Sequence, residues 1–148
     1  MIIYTVSNAF LNKLFARGSS DQTIPTSSQC WIGMSTSVPV MSGGAITNFT
    51  EPAPSTGYRR SRLGIQGNEV TYIMDAAKDG SITNGKNFIF FDEATVGGGG
   101  FGELKWFGLF SGSSGGAPVL AGELTTPVTV PAGNVLIFRP NNLTVSME

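Results

Sequence analysis

The side chains with the most evident chemistry in this sequence are the clustered arginines Arg59, Arg60 and Arg62. A guanidinium offers donors in a planar fork that fits carboxylate, phosphate or a sugar acid. If residues 57–65 form a strand, Tyr58, Arg60 and Arg62 share one face, and Arg59, Leu63 and Ile65 share the other. The expected use of such a segment is an exposed or inter-subunit charged face, ahead of an anion pocket. Phe49 and Phe101 join the arginines as candidate interface residues, because both are aromatics set in stretches rich in Gly, Ser and Pro.

The other motifs fail on their own chemistry. Gly97-Gly98-Gly99-Gly100-Phe101-Gly102 has the spacing of a dinucleotide fingerprint, but that motif needs a helix behind it to receive the pyrophosphate. Here the following residues, Leu104 to Phe110, read as an aromatic strand. Asp75 and Asp79 are spaced like the first and fifth ligands of a calcium loop. The third ligand would then be Ala77 and the twelfth Lys86, neither of which supplies the oxygen required. Asp92-Glu93 is an adjacent acid pair, and neighbours on a strand point to opposite faces, which is wrong for two cooperating carboxylates. Asn48-Phe49-Thr50 and Asn142-Leu143-Thr144 match the glycosylation triplet, which is used only in secreted chains. There is no histidine, which removes the commonest general base and every Ser-His-Asp arrangement. The single Cys30 excludes an internal disulfide and reads as a small buried apolar residue. We therefore expect no catalytic, cofactor-binding or metal-ligating residues.

The elements that must carry these residues are short. A helix is expected over Asn8 to Arg17, capped by Ser7, with Phe10, Leu11, Leu14 and Phe15 on one face and Gly18 at its end. Strands are expected over Cys30 to Thr36, Gly57 to Ile65, Glu69 to Met74, Asn87 to Phe91, Leu104 to Phe110, Ala117 to Leu124, Val128 to Val130, Val135 to Phe138 and Leu143 to Ser146. Val38 to Thr56 reads as a long loop. Leu104, Trp106, Gly108 and Phe110 would share one face of their strand. The fold class is then all-β: an antiparallel sandwich or jelly-roll-like domain with one short N-terminal helix, residues 1–18 docking on a single domain that spans 1–148.

At 148 residues and 41% apolar content, the chain can bury a core without disulfides or metals. Charged residues make up only 13%, and the net charge is −1, so binding of nucleic acid through phosphate neutralisation is not expected. No apolar run is long enough for a membrane span, and Met1-Ile2-Ile3-Tyr4-Thr5 lacks the pattern of a signal peptide. No cofactor, membrane or nucleic-acid partner is expected.

The order of features resembles a family of small tailed-bacteriophage virion proteins, often labelled tail-fibre or capsid decoration proteins. The likeness is carried by Trp31-Ile-Gly-Met-Ser-Thr36, Glu51-Pro52, Gly57-Tyr58-Arg59-Arg60, Asp79-Gly-Ser-Ile-Thr-Asn84, Phe88-Ile-Phe90 and Glu93-Ala94-Thr95. It continues through Phe107-Gly108-Leu109-Phe110, Gly115-Gly116, Leu120-Ala-Gly122-Glu-Leu124, Pro127-Val-Thr-Val130, Pro131-Ala-Gly133 and Leu143-Thr-Val145. Phe101-Gly102 stands where the family often has Trp-Gly, behind an expanded glycine loop. The resemblance implies a non-enzymatic virion component, assembled in the host bacterial cytoplasm and placed on the virion surface. Its partners would be other virion proteins, the major capsid protein or tail proteins. Low charge with high Gly, Ser, Thr and Asn content suits broad contacts among identical subunits and favours a capsid decoration (cement) protein, with a tail-fibre or baseplate appendage or a carbohydrate-binding module as alternatives. A homo-oligomer is expected, with a trimer as the first choice.

Overall fold

Strand β2 (Trp31–Ser35) lies beside the central strand of the largest sheet among the described residues, and its alternation sets the two faces. The computed structural model describes residues 5–6, 30–63, 73–75, 78–79 and 81–146, with residues 5, 6 and 146 described by backbone only. The expected helix over Asn8 to Arg17 lies outside these residues. Ahead of it, β1 (Thr5–Val6) is a strand paired antiparallel with β9 (Leu120–Val130). The five-stranded sheet runs β1-β9-β8-β2-β5, with β5 at Ser61–Arg62 and β8 at Gly102–Phe110. Two-stranded pairs are formed by β3 (Val40–Ser42) with β4 (Ala45–Thr47), β6 (Ser81–Thr83) with β11 (Thr144–Ser146), and β7 (Ile89–Glu93) with β10 (Val135–Phe138). Every one of these pairings is antiparallel. The described residues are essentially all-β.

On β2, Ile32 and Met34 point into the main core beside Phe107 of β8. The same cluster takes Ile89 and Phe91 from β7, Leu136 from β10, Val145 from β11, and Tyr58, Leu63, Phe101 and Leu143 from connecting segments. The opposite face of β2, Trp31, Gly33 and Ser35, lies across from Phe110, Gly108 and Trp106. It too is covered: Ser35 is fully buried, and its Oγ accepts from the Thr50 N–H at 2.9 Å.

Three expectations are corrected. Leu104 does not share a face with Trp106, Gly108 and Phe110. The register slips between Leu104 and Trp106, and this irregularity puts Leu104 with Phe107 in the core. The segment from Val38 to Thr56 is not a plain loop. It folds as the β3–β4 hairpin, turning at Gly43 and Gly44 (φ 57° and 81°), then as a 3-10 turn over Pro54–Thr56. Gly57, at φ 84°, stops that turn, so pairing resumes only at Ser61. The two expected strands before and after Pro127 form one long β9, continuous across the proline with its register interrupted there. Of the strand expected over Glu69 to Met74, residues 69–72 lie outside the described set.

Candidate functional site

The best-built polar arrangement in the described residues forms around Arg60, because three segments converge on the covered face of β2. Gly57 ends the 3-10 turn and sends Tyr58 inward beside the unpaired edge of β2. The Met34 N–H, which has no strand partner there, donates to Tyr58 Oη at 2.6 Å. Tyr58 Oη in turn donates to Glu51 Oε1 at 3.1 Å. Burial, followed by the negative charge of Glu51, raises the Tyr58 hydroxyl well above the ordinary phenol range, so it stays a neutral donor.

Arg60 completes the arrangement. Its Nε donates to Glu51 Oε1 at 2.9 Å and its Nη2 to Glu51 Oε2 at 2.7 Å, a two-pronged fork. Its Nη1 donates to the carbonyls of Gly112 and Gly115, each at 2.9 Å, tying down the loop between β8 and β9. The guanidinium lies 3.4 Å from the centroid of the Phe110 ring, and Phe110 meets Phe49 edge-on, 5.3 Å between centroids at 77°. The Arg60 side chain is only 3% exposed. Space for this stack comes from two glycines. A Cβ on Gly33 would lie 2.7 Å from Glu51 Oε1 and 2.8 Å from Phe110, and one on Gly108 would lie 2.8 Å from Phe49.

An open cleft of about 640 Å³ adjoins the cluster, lined by Pro52, Pro54, Arg59, Ser113 and Ser114 together with the Glu51–Tyr58–Arg60 group. Its one carboxylate is held by Arg60 and Tyr58, so it is committed to structure and not poised to move a proton. Among the described residues, no three of the side chains that commonly bind metals gather as a ligand set. Also among them, no helix is long and apolar enough to cross a membrane.

The residues singled out from sequence therefore separate. Arg60 and Phe49 belong to one interior stack. Phe101, expected in an exposed loop, is 3% exposed and meets Tyr58 edge-on at 5.4 Å. Arg62 lies over the Trp31 ring, 5.3 Å from its centroid. Arg59 is the outward one: 82% exposed, with its Nε 3.7 Å from Asp92. The glycine run is a closed turn between β7 and β8, with Gly98 N–H donating to the Thr95 carbonyl and Phe101 N–H to that of Val130, both at 2.9 Å. A strand follows it, as the aromatic spacing requires, and no phosphate cradle forms. Glu51, Tyr58 and Phe110 went unassigned from sequence. The one available signal was an acid placed shortly before the arginines, in a region read as loop.

Comparison with known proteins gives one finding of weight. No curated protein matches the chain. A family model does match, described as podophage GP4 fiber I protein gp80, and it covers residues 2–146. That span takes in all the described strands and the Arg60 cluster, and it agrees with the resemblance carried by the turn and core motifs. The chain belongs to the podophage GP4 fiber I protein gp80 family and is a structural protein of a phage virion.

Proposed function

We propose that the chain is a non-enzymatic subunit of a tail fibre, one domain built as a sandwich and working as a homo-oligomer. The observation that carries this reading is the match to a fiber protein family over residues 2–146. It moves the preferred position on the virion to the tail, away from capsid decoration, which rested on low charge with high Gly, Ser, Thr and Asn content. The geometry supports a scaffold role: the Arg60 cluster locks two loops onto a sheet, and its carboxylate is engaged by Arg60 and Tyr58. Support for the sandwich comes from the core, which joins side chains of β2 and β8 from the large sheet to those of β7 and β10 from a separate strand pair. The partners are other tail proteins.

The test is location. Antibody-gold labelling of purified particles should place the chain on fibres at the tail, and gel densitometry should give few copies per particle. Label spread over the whole capsid at high copy number would restore the decoration reading and overturn this one.

A further inference from the structure

Strands β7 and β10 and the residue before β7 are apolar along unbroken runs, Phe88-Ile89-Phe90-Phe91 and Val135-Leu136-Ile137-Phe138. A strand with one wet face alternates apolar and polar residues, whereas an unbroken apolar run belongs to a strand covered on both faces. One face of this pair is accounted for. Ile89, Phe91 and Leu136 are buried in the core, and Phe138 packs against it. Among the described residues, the other face is open. Phe90, at 57% exposure, stands directly across from Ile137, with Phe88 and Val135 also exposed nearby. Phe88 and Phe90 stack on each other with 5.7 Å between centroids and planes 24° apart. Single exposed apolar residues are ordinary, but a joined group on a strand pair marks a contact surface.

We propose that this face packs against the same face of further copies of the chain. The charges at its rim favour a copy over another partner. Asp92 follows Phe90 on the outward face of β7, and Arg59 reaches it from the neighbouring segment at 3.7 Å, both strongly exposed. Within one chain, a pair so exposed contributes little. Around a rotation axis it becomes complementary: apolar centre meets apolar centre, and the Arg59 of each copy approaches the Asp92 of its neighbour. A net charge of −1 leaves copies free of strong mutual repulsion. A strongly acidic or basic partner would find no net charge to recognise here. A sugar would meet Val135 and Ile137 where its hydroxyl groups need polar partners. This inference deepens the homo-oligomer part of the proposed function and does not depend on where the subunit sits on the virion.

The experiment measures the mass of the purified full-length chain by light scattering during size-exclusion chromatography. Wild type should run at a whole-number multiple of the chain mass. The F90T/I137T double variant keeps strand-favouring residues at outward positions and should run as a monomer with an unchanged far-UV spectrum. As an independent surface variant, R59D should weaken the assembly, and R59D/D92R should restore it. A monomeric wild type, or an oligomer indifferent to both sets of changes, overturns the proposal. A monomer that binds a glycan array and loses that binding in F90T also overturns it, giving the face to a sugar. Failure of the fibre reading would appear separately, in the particle labelling, with the oligomer of the purified chain unaffected.

Discussion

Replacing Arg60 by alanine is the sharpest test of the clamp. The substitution strands the Glu51 carboxylate, frees the carbonyls of Gly112 and Gly115, and uncovers Phe110, all at a side chain only 3% exposed. Removing one member of a buried ion pair costs about 3–5 kcal/mol, and because Glu51 keeps 24% exposure, water will offset part of that. The lower end, about 3 kcal/mol, is the expected loss. For a chain of this length it lowers the melting temperature by about 6–12 °C. Arg60→Lys keeps the charge but loses the fork, the paired carbonyl contacts and the flat stacking surface, so it should recover about half of the loss. Lys105→Ala is the internal control. Its pair with Glu103 is solvated on both sides, and its removal should change stability by less than about 0.5 kcal/mol. Thermal unfolding followed by circular dichroism reads all three. An Arg60→Ala protein that melts cooperatively within about 2 °C of wild type, less than the shift expected for 1 kcal/mol, would refute the reasoning.

Gly99 and Gly100 share a left-handed backbone, φ 81° and 83°, but a Cβ on Gly99 meets nothing within 4 Å while one on Gly100 runs into the Val130 carbonyl. Each alanine costs about 1–2 kcal/mol for its backbone, and Gly100→Ala should cost clearly more than Gly99→Ala in urea unfolding. Burial pushes the Cys30 thiol from its ordinary 9.0 up to about 11, so stability tied to its neutral form is intact below pH 9. That stability should fall as pH rises from about 9 to about 11, which urea midpoints across this range would show; Cys30→Ala should flatten the fall. EDTA should leave the melting temperature unchanged, and a shift of several degrees would reveal a metal site among residues that show none in their described part.

The class of the fold was legible because it follows from local pattern. Short apolar runs punctuated by glycine and proline could only pair as strands, and the aromatic spacing from Trp106 to Phe110 could not serve a nucleotide-binding helix. What went unread depends on contacts distant in sequence. Nothing local in Glu51 says that a tyrosine and an arginine will close on it, and nothing in Gly33 says that its missing side chain makes room for Phe110. The face assigned to Leu104 was misread because the ladder slips there: a two-residue step on β8, from Leu104 to Trp106, faces a five-residue step on β9, from Val128 to Glu123, and a broken ladder breaks the alternation. Phe101 looked exposed because its neighbours are glycines. Those glycines are tight turns that deliver the ring to the core.

The bonds from Arg60 to Gly112 and Gly115 close loops of 52 and 55 residues along the chain. They fasten the loop between β8 and β9 onto a sheet whose strands must already be paired, so we expect them to form late and to be weak in the rate-limiting step of folding. Their energy therefore acts on the reverse journey: it slows opening of the finished subunit while leaving the speed of its formation nearly untouched. For a protein carried outside any cell, beyond the reach of chaperones or resynthesis, lifetime in the folded state matters more than the balance at equilibrium. The arginine works as a latch on that lifetime.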